Sequence, residues 1–326
     1  MHVSAIENLQ LTMYVIGFPV QGEMILTLLM DGSTVKKSFL TDCYLRTKNQ
    51  VDIFAGWCKK RGVKHLDAIF ITHPDVDHCT GLSMLLKKMD SDSSTILYMP
   101  DQIIAVRDVS HAIVRNSLRY VNKHYSIENG NLCLLTMDDY RGRTILELNI
   151  QPSMQPEMRM EFVQLAPTKG YLFGRNTNKS QASHNDVSLV YAIVCNGFNY
   201  LFCADMPAEV AKNIDREYLQ QVQFVKIPHH GSKDNNVDLL ANLSSGQATN
   251  IISASTVFKK LAERSKLPKT EVLEEYKKIG RVYCTGPKHK SEPKQIQSYG
   301  GVKIHYFLFD RKKKPLSRCV GNAFEI

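Results

Sequence analysis

The stretch FITHPDVDHCTGL, residues 70–82, sets two histidines and two aspartates within six consecutive positions directly after an apolar run. Before it, Leu66-Asp67-Ala68-Ile69-Phe70-Ile71 reads as a buried strand; after it, Gly81 and the apolar Leu82 to Leu86 read as a turn entering a packed helix. Charges at such a junction sit at the mouth of a core. A divalent metal is the natural physical cause, because imidazole and carboxylate both bind such ions and loop residues at these spacings can point toward two adjacent ones. Without a cation, the carboxylates of Asp75 and Asp77 repel one another and His73 and His78 are costly to desolvate.

Outward from this junction the chain reads as many short strands. Leu11 to Gly17, Met24 to Met30 and Lys37 to Leu40 precede it. Ile145 to Leu148, Glu161 to Leu165, Val187 to Cys195, Tyr200 to Ala204, Gln223 to Ile227, Asn250 to Ser253, Val282 to Cys284 and Val302 to Leu308 come after it. Helical spacing marks 51–61, 81–88, 105–124, 207–218 and 268–279, with one prominent helical segment between about 85 and 140. Strands followed by helices, twice over, predict an α/β fold of two mixed sheets face to face with helices outside. Residues 169–186 and 286–299 read as loops. The expected organisation is one domain over 1–326, with a partly helical insertion around 87–160 and a basic C-terminal segment, 251–326.

With 43% hydrophobic residues, the chain can fill a proper core. Its eight cysteines form no C-x-x-C pair and read as reduced thiols. A basic start with an apolar stretch is not apparent in the first 30 residues, nor is a run of about 20 apolar residues, so a cytoplasmic protein without a membrane segment is expected. The formal net charge of +9 is unevenly placed. Residues 1–250 carry 24 basic against 25 acidic side chains, and residues 251–326 carry 17 against 7. Such a bias suits a polyanion, whose phosphates release counterions when neutralised.

Two further places share the chemistry of the first. In YLFCADMP, an apolar strand stops at Asp205 before a proline; in VQFVKIPHHGSKDN, another stops at His229-His230-Gly231-Ser232. Alone, Asp205 reads equally as a helix cap and His229 as a turn histidine. Together with residues 73–78 they form a pattern.

T-H-P-D-V-D-H, a later strand ending in Asp, then K-x-P-H-H-G-S resembles the metallo-β-lactamase fold superfamily, and within it the hydrolase domain of ComEC-type competence proteins and their stand-alone relatives. H-x-D-x-D-H in place of H-x-H-x-D-H is typical of that branch. SFLTDCY is similar to its first-motif aspartate, Asp42, and HNDVSLVY to its N-N-x-S-L-V strand. The resemblance implies a metallo-β-lactamase-type αββα sandwich holding two divalent ions, zinc or manganese. His73 and Asp75 would serve one ion, Asp77 and His78 the other. Asp205 would bridge them, and one of His229 and His230 would complete the second. Asp42 would orient the loop from behind the ligands.

The chain departs from the superfamily at three points. Its middle motif, His184-Asn185-Asp186-Val187-Ser188, lacks the usual histidine position, which leaves His184 or Asp186 as substitute. Leu267-Pro268 stands for a His-Pro, and Ala204 for a glycine. Cys79 reads as packed under the turn rather than as a ligand.

Hydrolysis by metal-activated water is the chemistry such a site implies, with Asp77 and Asp205 as its catalytic carboxylates. Lys226, Ser232, Asn185 and Ser188 are the expected substrate contacts, and phosphodiesters, DNA first, the expected substrate. The alternatives are a hydrolase of a small phosphoester or nucleotide, and a module that binds nucleic acid or protein without cutting. The 87–160 segment, with the basic amphipathic stretch DVSHAIVRNSLRYVNKHY, offers a surface for a protein partner.

Overall fold

The computed structural model describes residues 1–6, 8–18, 22–90, 93–101, 111–136, 142–152, 157–167, 184–245, 251–255, 267–285, 300–308, 314–320 and 324–325. In chain order the strands of the first half are β1 (His2–Ile6), β2 (Leu9–Gly17), β3 (Glu23–Asp31), β4 (Thr34–Thr41), β5 (Ala68–Phe70), β6 (Ile96–Pro100), β7 (Leu132–Leu135), β8 (Arg143–Pro152) and β9 (Met158–Ala166). Then come β10 (Val190–Cys195), β11 (Phe198–Phe202), β12 (Val222–Lys226), β13 (Ile251–Ser255), β14 (Gly280–Cys284), β15 (Gly300–Phe307), β16 (Leu316–Val320) and β17 (Phe324–Glu325). The helices are α1 (Lys48–Lys59), α2 (Val76–Cys79), α3 (Leu82–Met89), α4 (Ala112–His124), α5 (Ala208–Lys212), α6 (Arg216–Leu219), α7 (Lys233–Ser245) and α8 (Thr270–Ile279).

The strands form two mixed sheets, β1-β8-β9-β10-β11-β12-β13-β14-β17 and β16-β15-β2-β3-β4-β5-β6-β7. Side-chain alternation explains why they stack. Along β2 and β3, Leu11, Met13, Val15, Ile25 and Leu29 enter a core shared with Met160, Phe162, Tyr191 and Ile193 of the other sheet. Their neighbours Tyr14, Ile16, Met24, Leu26 and Leu28 point the other way, into a second core beneath α1, α3 and α4. A third core joins Val163, Leu165, Val190 and Ala192 to α5, α7 and α8. Both faces of the central strands are thus covered, so those strands read as nearly unbroken apolar runs. Each fully buried Leu, Ile or Phe contributes about 1.5–3 kcal/mol of transfer free energy.

The expected α/β sandwich of two face-to-face mixed sheets is the observed architecture, and several elements differ in detail. The expected helix 207–218 is two short helices, α5 and α6, because the Asn213 side chain donates to Glu209 O at 2.7 Å and closes the first. The expected strand 187–195 begins at Val190, because Val187 closes a 3-10 turn over His184–Val187. The span 85–140 holds β6 and β7 besides α4. Most of the expected 169–186 loop, all of 286–299, Arg311-Lys312-Lys313 and residues 105–110 lie outside the described residues. Among the described residues, no helix is long and apolar enough to cross a membrane.

Strand direction sets which loops share an end of the sandwich. β4, β5, β6 and β7 run parallel, as do β11, β12, β13 and β14. β3 is antiparallel to β4 and β10 to β11, so the starts of β3 and β10 lie at the end where β4, β5, β11 and β12 finish. Clefts outside the carboxyl ends of parallel strands are the usual ligand sites of such sheets.

Candidate metal centre

Glu23, Asp42, the loop 72–78, His184, Asp205 and His229-His230 all arrive at this one end. Asp42 follows β4 with φ of 57°, a left-handed conformation that aspartate tolerates better than most residues. Its N–H donates to Phe70 O at 2.8 Å, which ties it to the end of β5. Its carboxylate accepts from Thr72 N at 2.8 Å, from the Thr72 hydroxyl and from His78 Nδ1 at 2.7 Å. Gly81 then lets the turn under α3 pass close to Leu45, whose carbonyl oxygen would lie 2.0 Å from an added Cβ. The Cys79 thiol donates to His73 O, inside the core.

These bonds set two histidine tautomers. The Thr72 hydroxyl donates its proton to Asp42 and therefore accepts from His73 Nδ1, 3.0 Å away. His78 likewise commits Nδ1–H to Asp42. Both rings are left with Nε2 facing inward, fully buried and without a hydrogen-bond partner. The Asp205 Oδ1 atom is in the same condition, 3.6 Å from His78 Nε2, too far for a hydrogen bond.

On the opposite side, His229, His230 and Gly231 take φ of 46°, 50° and 79°, a left-handed turn stored at the site. This turn separates the two histidines. His230 is buried, with Nε2 3.2 Å from Asp77 Oδ2 and 3.6 Å from Asp205 Oδ2. His229, a third exposed, stands at the rim 3.8 Å from Asp205. Ligand atoms of Asp77, His78, Asp205 and His230 all lie within 4.8 Å of one another. Of the two candidate histidines, His230 is the one in this group.

His73 and Asp75 form the adjoining part, with Nε2 and Oδ2 3.7 Å apart and the His73 ring 4.0 Å from that of His78. His184 reaches Asp75 directly, Nδ1 to Oδ1 at 2.5 Å. Asp186 is buried in the same turn, and neither it nor His73, Asp75 or His184 belongs to the two groups of closely spaced ligand atoms among the described residues, Asp77-His78-Asp205-His230 and Glu23-Asp42-His78. Asn185 is half-buried there, Ser188 Oγ is buried without a hydrogen-bond partner, and Ser232 donates its hydroxyl to Asn235 at the start of α7.

Lys226 requires a correction. Expected as a phosphate grip, it is 1% exposed, with Nζ 2.8 Å from Glu23 Oε2 and 3.0 Å from Ile227 O. It is turned inward because Glu23, 2% exposed at the start of β3, needs a buried counter-charge. Glu23 was not among the expected site residues, yet its carboxylate also stands 3.4 Å from His230 Nδ1. It backs His230 as Asp42 backs His78. The signal was a lone acid opening an otherwise apolar strand.

The charge state of the cluster supplies a test of fit to a cation. Burial opposes ionisation of Asp205, yet His230 and His78 hold it well below the usual carboxylate range. Asp77 is shifted in the same direction, against burial, by His78 and His230. Conversely, burial works against protonating His78, and Asp42, Asp205 and Asp77 overcome it and raise its pKa well above the ordinary value. His230 is raised against burial chiefly by Asp205 and Asp77. Buried carboxylates thus favour the protonated form of both imidazoles. A divalent cation held by these residues would take the place of those protons. The mixed imidazole and carboxylate donors suit zinc or manganese.

No protein-family model matches the chain, and no curated protein matches it in sequence. Solved structures similar to it include the metallo-β-lactamase fold protein YhfI from Bacillus subtilis, at 11% identity and a TM-score of 0.43 over 82% of this chain and 93% of that one. A metallo-β-lactamase from Hirschia baltica aligns at 13% identity and a TM-score of 0.33, covering 72% of this chain and 92% of its own. FEZ-1 metallo-β-lactamase from Legionella gormanii aligns at 10% identity and 0.32, covering 75% and 72%.

Proposed function

We propose that the protein is a metal-dependent hydrolase, a nuclease or phosphodiesterase with DNA as the favoured substrate. The observation that carries this reading is the convergence of Asp77, His78, Asp205 and His230, with the Nε2 atoms of His73 and His78 and the Oδ1 atom of Asp205 buried there without hydrogen-bond partners. Asp77, His78, Asp205 and His230 would hold one ion, and His73, Asp75 and His184 with Asp205 a second. A bound ion supplies Lewis acidity and a water of lowered pKa. The chain's own residues do the rest. Asp42 and Glu23 fix the rings of His78 and His230, and Asp77, 15% exposed at the mouth, orients the attacking water. His229 at the rim faces the incoming substrate.

The excess of 17 basic over 7 acidic residues in 251–326 supports a polyanionic substrate. A second reading, a module that binds nucleic acid with little cleavage, draws support from His184, whose short bond to Asp75 competes with use of that carboxylate as a ligand. The test is incubation of the purified protein with single- and double-stranded, linear and circular DNA and RNA, in Mn²⁺, Zn²⁺ or chelator, beside Asp77→Ala and Asp205→Ala. Metal-dependent cleavage lost in both variants supports the reading. Cleavage that survives both removes it, and binding without cleavage transfers support to the second reading.

A further inference from the structure

On the outer face of the eight-stranded sheet, toward its β16 edge, α1 and strands β2, β15 and β16 enclose a cleft of about 340 Å³, whose Ile16 and Gly301 are level with Met24 at the start of β3. That size is at the lower end of ordinary ligand pockets, roughly 300–1,000 Å³. Its aromatic part is Tyr14 from β2 and Trp57 from α1, ring centroids 4.8 Å apart and nearly perpendicular. Arg61 is laid against both, 3.9 Å from the Trp57 centroid and 5.6 Å from that of Tyr14. Its cationic part is Lys303 and Arg318, which face one another directly across β15 and β16, with Tyr14 the next residue in the same row. Gly301 lines the same cleft without a side chain to fill it.

Like charges placed opposite one another weaken a sheet unless an anion joins them. None of the described residues lining the cleft carries a carboxylate, and Arg61, Lys303 and Arg318 form no ion pair among the described residues. A layered aromatic and guanidinium surface beside two cations matches one ligand chemistry, a flat base joined to a phosphate.

We propose that this cleft binds one nucleotide unit of a single-stranded nucleic acid, its base stacked on the Trp57–Arg61 layer and its phosphate held by Lys303 and Arg318. For the identity of the ligand the inference rests on the nucleic-acid reading above. It adds an anchoring point for the strand apart from the metal centre and a preference for unpaired bases, since duplex bases have no free face to stack. Lys303 and Arg318 belong to the C-terminal segment that carries the whole basic excess.

Trp57 is the chain's one tryptophan, so its fluorescence reports on this cleft alone. In EDTA, where cleavage is blocked, a ten-residue thymidine oligonucleotide titrated into the full chain is expected to quench Trp57 saturably. The same affinity is expected from anisotropy of the labelled oligomer. Lys303→Glu with Arg318→Glu is expected to weaken binding at least about tenfold and to flatten the salt dependence by about 0.7 in log–log slope, the value for one phosphate no longer neutralised. Lys303→Gln with Arg318→Gln repeats the test with milder changes, and an unshifted urea midpoint establishes that either variant folds. Thymidine monophosphate and inorganic phosphate are the control ligands. Quenching by the monophosphate as strong as by the oligomer upholds the chemistry and identifies a free nucleotide as its source, whereas competition by phosphate alone overturns the base-stacking part. Oligomer binding with no change in Trp57 emission, or undiminished in both double variants, overturns the proposal. Cleavage without this binding removes the cleft and leaves the metal-centre reading standing; binding without cleavage does the reverse.

Discussion

Replacing Lys226 by methionine should strip buried Glu23 of the ammonium that faces it. The two groups are 1% and 2% exposed and 2.8 Å apart. At an effective dielectric of about 20, that separation is worth about 6 kcal/mol of Coulomb attraction, offset by several kcal/mol of desolvation per ion. The pair itself is therefore close to neutral in stability, while removing one partner costs about 3–5 kcal/mol. The expectation for urea unfolding in EDTA at pH 7 is a loss of that size in Lys226→Met. The double variant Glu23→Met, Lys226→Met should recover most of it, with a coupling of at least about 2 kcal/mol. Additive effects of the two single changes, or a Lys226→Met protein within about 1 kcal/mol of the parent, would refute the reasoning. If stability were kept while substrate affinity fell, Lys226 would be reaching substrate after all.

Asp42→Asn keeps the size of the side chain but weakens the acceptor behind His78 and Thr72, so affinity for Mn²⁺ or Zn²⁺, read by calorimetry, should fall about 10- to 100-fold. Ala204 holds φ of 46°, and Ala204→Gly should raise the unfolding free energy by about 0.5–1 kcal/mol by relieving that conformation. Burial pushes the thiols of Cys58, Cys195, Cys203 and Cys284 up to about 12 from 9.0. The folded state then keeps protons that the unfolded state loses, so their contribution to stability is complete below pH 9 and is lost as pH rises toward 12. The slope should approach about 1.4 kcal/mol per pH unit per thiol, measured by urea unfolding from about pH 8 to 11. At about pH 8, below the ordinary thiol pKa, native alkylation should reach only the half-buried Cys133 and Cys319, with the other six labelled after denaturation.

Legibility in the sequence followed how local each cause is. Polar residues that interrupt an apolar strand stand out, and so residues 73–78, Asp205 and His229-His230 were visible as one chemistry from their order along the chain. The sheets were visible because strands buried on both faces need unbroken apolar runs. Choosing between His229 and His230 required the left-handed turn, which no residue type but Gly231 announces. The inward path of Lys226 required its partner, placed far earlier in the chain at Glu23. Helix α7 escaped notice because KDNNVDLLANLSS is mostly polar, and its buried Asn236 is held by Pro228 O and the Tyr276 hydroxyl as well as by Ser232 O. Strands β6 and β7, five and four residues long, were masked by the stronger helical pattern of α4 between them.

The pairing of β15 with β2 carries a consequence for synthesis. Thr12 and His305, bonded at 2.8 Å, are 293 residues apart. While the ribosome is still reading the middle of the message, β2 has β3 on one side and an open apolar border on the other. Chain closure over such a span is slow, and an open strand border invites neighbours of the same kind. The polypeptide therefore leaves the ribosome with an early strand waiting for a late one. Its yield should depend on what shields Leu9–Gly17 in the interval.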